Sequence, residues 1–278
     1  MRRFVWPFIL LIKLIITRST FLKNIFSKLG FFQDGPGSLN DPQRPNEAFL
    51  IHYKRIPIKS RKKVKAVIEL GAGRTNYASL AAKKMKVEKF LQLDTQELAV
   101  DVSEKIEQTS QTYRQFNVRE SAKMIELENY IFAKPDINYM KSIQSCSYDF
   151  LYSHSVLQHI YLNELDFYLE QIDRVLKVGS THSHYVDFRD CFSGKKNNLK
   201  VAESIWESEL FRTGGFYTNR VPFSYYEKKF FDLGHEILYI KKRYFEKPLS
   251  MNNVSKSIIK YFTENDLNLR SIEIVLKK

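Results

Sequence analysis

The residues best suited to chemistry fall into two sets. Glu69, Gly71 and Gly73 lie within VIELGAGRTNYASLAA (67–82), and Asp94 closes the next apolar run, KFLQLD (89–94). An apolar run, a Gly-x-Gly turn and a helix-like run place backbone N–H groups at the carboxyl edge of a sheet. There the helix dipole favours a polar or anionic ligand group. A pyrophosphate-binding turn wants a third glycine at position 76, where Asn76 stands, and Thr75 denies the closer spacing. The turn therefore suits a nucleoside without phosphates. Asp94, 21 residues past Gly73, is placed to accept hydrogen bonds from ribose hydroxyls.

The second set could move a proton or hold an acceptor. Ser153 and His154 end YDFLYSH (148–154), at the edge where an open α/β sheet binds ligand. His159 follows five residues later, and its near-neutral titration suits general-base work. His184 and Asp187 lie at or near the end of STHSHYVDF (180–188). Period two puts positions 182, 184 and 186 on one face and Asp187 on the other, unless the strand's end turns it into the site. Each has a quieter alternative: His159 bracing the next helix, Asp187 bracing a loop. Arg189, Asn219 and Arg220 could hold a polar or anionic acceptor, and Arg220 serves equally well in a salt bridge. Trp206 and Phe216 suit packing better than stacking on a sugar.

Other chemistries lack their motifs. There is no Gly-Lys-Ser/Thr phosphate loop, no His-Glu-x-x-His and no nucleophile elbow. Cys146 and Cys191 fit a reducing compartment and show no metal-ligand spacing, so no metal is expected.

The elements that must position these residues alternate short apolar runs with helical stretches, the pattern of a mainly parallel sheet. Strands are expected at 66–70, 89–94, 148–154, 180–188, 235–245 and 270–278, with INYM (137–140) as strand three. Helices are expected at 77–85, 96–109, 162–177 and 224–234, with a helical stretch near 253–264. In the 162–177 helix Leu165, Tyr168, Leu169, Ile172, Val175 and Leu176 share a face. Residues 190–220 read as an irregular insertion on the substrate side.

The net charge of +13 sits almost wholly at the N-terminus: residues 1–65 carry 14 Lys/Arg against 3 Asp/Glu, and the rest is nearly neutral. A nucleic-acid groove would carry its own basic stripe, so no specific nucleic acid is expected. Residues 1–32 are apolar and amphipathic. The 13-residue span Phe4–Ile16 is too short to cross a bilayer, which needs about 20 residues. The next apolar run, Phe21 to Leu29, has helical spacing. Together they suit a helical segment lying on an anionic membrane surface; packing against the protein's own core, and a secretory signal or true span beginning at Arg2 and Arg3, are the alternatives. Residues 33–63, with QDGPGSLNDPQRPNE, read as a linker before a domain at 64–278.

VIELGAG, FLQLD, YDFLYSHSVLQHI and IDRVLKVGS, in that order, resemble the motifs of class I S-adenosylmethionine-dependent methyltransferases. Val178 and Ser180 depart from that family's usual Arg-Val-Leu-Lys-Pro-Gly-Gly turn. The resemblance covers about residues 60–278. It implies a Rossmann-like, seven-stranded, mainly parallel sheet with an antiparallel last strand and helices on both faces, here with an N-terminal helical appendage. It implies S-adenosylmethionine as cofactor, held by the glycine motif and the acid after strand two, and it puts His159 where the family often has histidine. HSHYVDFRDCF and IWESELFRTGGFYTNRVPFSYYEKKFFDLGHE resemble a bacterial subgroup associated with surface-polysaccharide and lipid-linked glycan pathways. Together these readings imply methyl transfer to a hydroxyl of a small-molecule, sugar or glycolipid acceptor. The enzyme would be cytoplasmic and peripheral on the inner face of the cell membrane. An RNA or protein methyltransferase with a basic arm, and a non-catalytic cofactor-binding scaffold, remain open alternatives.

Overall fold

Five-residue apolar runs bounded by turns and rich in β-branched residues become the centre of a sheet rather than helices. The computed structural model describes residues 5–18, 43–98 and 130–278. Its strands are β1 (Ala66–Leu70), β2 (Lys89–Leu93), β3 (Tyr130–Ala133), β4 (Tyr148–His154), β5 (Leu176–Asp187), β6 (Glu236–Tyr244) and β7 (Leu269–Lys277). They form one sheet in the order β3-β2-β1-β4-β5-β7-β6. β1 to β5 pair in parallel, and β7, inserted between β5 and β6, runs antiparallel to both. This is the Rossmann-like sheet expected above. The strand order reverses between β1 and β4, so the ligand crevice lies outside their carboxyl ends.

The helices used below are α1 (Val5–Arg18), α2 (Gln43–Arg55), α3 (Ala78–Lys84), α4 (Ile137–Ser142), α5 (Leu165–Val175), α6 (Phe223–Asp232) and α7 (Glu264–Asn268). One sheet face carries α2 and α3: Phe49, Tyr53 and Ile56 pack with Val67, Leu80, Phe90, Phe150 and Tyr152. The other carries α5 and α6, where Leu165, Leu169, Ile172, Tyr226 and Phe230 pack on Ile68, Leu151, Val186 and Ile274.

Three expectations are corrected. Strand three is Tyr130–Ala133, pairing with β2 from Phe90↔Tyr130 to Leu93↔Ala133, while INYM is helical, in α4. Asp136 explains this: its carboxylate accepts from the Tyr139 backbone N–H and caps the helix. Second, residues 43–55, expected within the linker, form α2. The helix is bound to the body: Asn46 Oδ1 accepts from Ala81 N at 2.8 Å, His52 meets Ser183 at 2.7 Å, and Arg55 pairs with Glu273 on β7. Third, β5 begins at Leu176 rather than 180. The expected helix over 96–109 and the apolar run Phe21–Leu29 lie outside the described residues, apart from positions 96–98, which are not helical.

The N-terminal helix has two apolar faces. Leu10 and Leu14 are buried against Phe192, Trp206, Phe211, Phe216 and Tyr217 of the 190–220 insertion. Phe8, Leu11, Ile12 and Ile15 are each more than half exposed. At about 21 Å for its 14 residues, α1 is shorter than a bilayer's apolar core. No helix among the described residues is long and apolar enough to cross a membrane.

Candidate cofactor and acceptor site

The glycine turn after β1 is closed on itself. The N–H groups of Gly71 and Ala72 both donate to the Leu93 carbonyl, at 2.7 and 3.1 Å. Gly73 N–H donates to Asp94 Oδ2 at 2.7 Å, and Asp94 Oδ1 accepts from Gln96 N at 2.8 Å. Three successive donors that would cradle a phosphate are thus spoken for. Gly71 and Gly73 both have positive φ, +82° and +75°. A Cβ on Gly71 would strike Val156 Cγ2 at 2.1 Å, whereas one on Gly73 would meet nothing within 4 Å. Open space beside a half-buried carboxylate fits a ribose: a carboxylate already accepting two N–H bonds keeps lone pairs for hydroxyl donors. Burial raises the Asp94 pKa.

Glu69 is 5% exposed and takes a hydrogen bond from Gln92 Nε2 at 2.6 Å, which ties β1 to β2. Burial raises its pKa to about 7, and the nearby Asp94 carboxylate adds to the shift.

Ser153, His154 and His184 are adjacent in the sheet but part by face. His154 looks toward α2, its Nδ1 3.1 Å from His52 Nε2 and its ring stacked on Tyr185. Ser153 and His184 face α6 and begin a buried chain of hydrogen bonds. Ser153 Oγ meets His184 Nδ1 at 2.7 Å, and His184 Nε2 meets His182 Nδ1 at 2.8 Å. His182 Nε2 meets His235 Nδ1 at 2.8 Å, and His235 Nε2 meets Asp173 Oδ1 at 2.9 Å. Asp173 also pairs with Lys278 and is an acceptor, so each ring donates outward from Nε2 and accepts at Nδ1, back to the Ser153 hydroxyl. Burial lowers the His184 pKa to about 3 and holds His182 well below the usual range. A neutral, fully partnered ring in the core is no proton acceptor for substrate, so His184 is corrected to a structural role. Among the described residues no group of His, Cys, Asp and Glu is arranged to hold a metal ion.

His159 is placed for chemistry. Its Nδ1 lies 2.8 Å from the Tyr217 carbonyl, which can only accept, so the proton is on Nδ1 and the lone pair on Nε2. Nε2 has no hydrogen-bond partner among the described residues, and the residue keeps an exposed edge. Desolvation lowers its pKa, opposed by the Tyr217 bond and by the nearby Asp187. Asp187, at the end of β5, is gripped by Arg189 through Nε and Nη2, the closest contact being 2.5 Å. That pair is internal, so Asp187 is a poor base and Arg189 a poor acceptor ligand. Asn219 is likewise committed: its Nδ2 donates to Leu157 O at 2.7 Å and its N–H to Gln158 O at 2.8 Å. Arg220 donates to Val201 O at 2.9 Å, faces Glu207 at 3.5 Å and sits over the Trp206 ring. Trp206 and Phe216 are buried under α1, as packing residues.

Asp187, Asn219 and Arg220 nevertheless wall one small cleft, of about 20 Å³, together with Gln158, Lys196 and Asn198. Lys196 is the residue that sequence reasoning missed. A lysine in a polar insertion looks like any solvated lysine, and only the fold shows that it is buried. His52 was missed because it lay in the segment read as linker. His182 and His235 were missed because they meet only in the folded sheet.

No family model matches the chain, and no curated protein does. Among solved structures, it is similar to a Haemonchus contortus phosphoethanolamine N-methyltransferase 2 bound to phosphomonomethylethanolamine and S-adenosylhomocysteine, at 14% identity and TM-score 0.48, over 96% of this chain and 60% of that one. It is also similar to an S-adenosylmethionine-dependent methyltransferase of Archaeoglobus fulgidus, at 18% identity and TM-score 0.42, over 78% and 87% of the two chains. A third likeness is to an S-adenosylmethionine-dependent methyltransferase of Mesorhizobium loti, at 12% identity and TM-score 0.43, over 87% and 100%.

Proposed function

We propose that this chain transfers a methyl group from S-adenosylmethionine to a hydroxyl of a sugar or lipid-linked glycan, working peripherally at the inner face of the cell membrane. The observation that carries the cofactor is the self-satisfied turn: Gly71, Ala72 and Gly73 spend their N–H groups on Leu93 and Asp94, leaving a place for a nucleoside and none for a pyrophosphate. Gly73 and Asp94 would hold the ribose edge. When bound, the cofactor supplies a methyl carbon made electrophilic by its sulfonium. The chain's own residues then do two things. The cleft walls hold the acceptor in line, and His159 takes the hydroxyl proton at Nε2 while its Nδ1–H stays on Tyr217. The glycan acceptor follows only the resemblance noted in the sequence at residues 182–192 and 205–236. Membrane attachment is supported by the exposed ridge Phe8, Leu11, Ile12 and Ile15 and by the basic N-terminal quarter.

Isothermal titration with S-adenosylmethionine tests the cofactor: binding is expected, weakened at least tenfold by Asp94→Ala. Absence of binding at millimolar cofactor would overturn the enzyme reading. Mass spectrometry of glycans and lipids from cells with and without the gene tests the acceptor, the expected result being a lost methyl group.

A further inference from the structure

Lys196 is a buried lysine with no ion-pair partner among the described residues. It is 6% exposed, and its ammonium donates to the Asp266 backbone carbonyl at 2.5 Å. Phe188 and Phe245 flank it at 5.3 and 6.0 Å. Burial lowers its pKa to about 7, opposed from a distance by the carboxylates of Asp266 and Asp187. Both are occupied: Asp187 by Arg189, and Asp266 by Ser224 and by its capping of α7 through Thr263. No ion pair joins either to Lys196 among the described residues. Buried charges are ordinarily paired. Arg220, the other buried cation of the same cleft, has Glu207.

Lys196 lines the cleft with Gln158 and Asn198. Gln158 Oε1 and Asn198 Oδ1 are buried there without a hydrogen-bond partner among the described residues. Two unmet acceptors call for donors, and an anion beside the buried amine would favour its charged form. The ligand complementary to that wall carries hydroxyls and a small oxyanion.

We propose that Lys196 is the docking cation for an anionic, hydroxylated acceptor, whose phosphoryl or carboxyl oxygen seats on Nζ and whose hydroxyls meet Gln158 and Asn198. The inference rests on reading this cleft as the acceptor site. It moves the anion-binding role from Arg189 and Arg220, whose guanidinium groups are engaged, to a residue with no carboxylate partner among the described residues.

The test is isothermal titration of the full chain with glucose, glucose 6-phosphate, glucuronate and inorganic phosphate, each with and without S-adenosylmethionine. At least one of the two sugar anions should bind tenfold or more tightly than glucose. The better of the two identifies the oxyanion as phosphoryl or carboxyl. Lys196→Met should abolish that preference, and Lys196→Arg, which keeps the charge, should retain part of it. Should Lys196→Met fail to fold, the wild-type ammonium followed by NMR serves instead: its pKa should rise by at least one unit when the preferred anion saturates. Glucose binding as tightly as its phosphate and as glucuronate, a preference surviving Lys196→Met, or an unmoved Lys196 pKa overturns the proposal. Cofactor binding in the same samples separates the readings. Anion binding without cofactor binding sinks methyl transfer and spares the Lys196 site; cofactor binding without an anion preference does the reverse.

Discussion

Gly71 and Gly73 both have positive φ, yet substitution should separate them. Alanine at Gly73 carries only the backbone penalty, about 1–2 kcal/mol, because nothing lies near its Cβ. Alanine at Gly71 adds a collision with Val156, for a total of about 2–4 kcal/mol. Val156→Ala should recover part of the Gly71→Ala loss and none of the Gly73→Ala loss, as read by urea unfolding. The buried histidines set the acid response. His52, His182 and His184 all have folded pKa values below their unfolded value of about 6.5. Below that pH the unfolded chain takes up protons that the folded chain refuses. Their contribution is therefore whole above about pH 7 and declines as pH falls through 6.5. Glu69 acts in the opposite sense: its folded pKa near 7 favours the protonated form, so stability is lost as pH rises from about 4.5 to 7. Glu69→Gln should stabilise the protein at pH 8 and steepen its decline toward pH 5; an unchanged pH–stability curve would count against both assignments. Long-range ¹⁵N–¹H NMR should find His182, His184 and His235 all protonated on Nε2. Gly73, Asp94 and His159 could be placed near the carboxyl edge from the sequence because each comes within a few residues of a strand's end. Which face a strand residue such as His184 takes was not legible, because facing inward and facing a ligand leave the same residue in the same strand.

At the scale of elements, what could be read was what had a period. β1, β4 and α5 were legible because five to eleven residues repeat apolar positions at a fixed spacing. β3 is four residues with none fully buried, and α2 carries charges on most turns and holds a proline of its own, so both lacked that signal. Asp136 was the available clue that INYM begins a helix. The two faces of α1 yield a prediction that separates its roles. Replacing Phe8, Leu11, Ile12 and Ile15 by serine should abolish binding to anionic vesicles and leave the unfolding midpoint within about 0.5 kcal/mol, since these side chains are exposed. Leu10→Ala and Leu14→Ala should destabilise the protein by about 2–3 kcal/mol each and loosen the insertion. Equal effects from both faces in both assays would refute the division.

Across the whole molecule, charge and topology were legible early and the acceptor was not. Basic residues concentrated before position 66 against a nearly neutral body predict vesicle binding that weakens sharply with salt while cofactor affinity stays level. The seven-stranded order followed from motif order, but the cleft is assembled from five segments spread between residues 158 and 262, which no local pattern reveals. The placement of β7 carries a cost in time. β5 ends at Asp187 and its neighbour begins at Leu269, so roughly 80 residues must be made before that edge is covered. At a synthesis rate of about 5–20 residues per second, the nascent chain holds an unpaired strand edge for about 4–16 s. During that interval β6 has no partner either. This fold is thus a long-waiting client for any factor that shields strand edges on the ribosome.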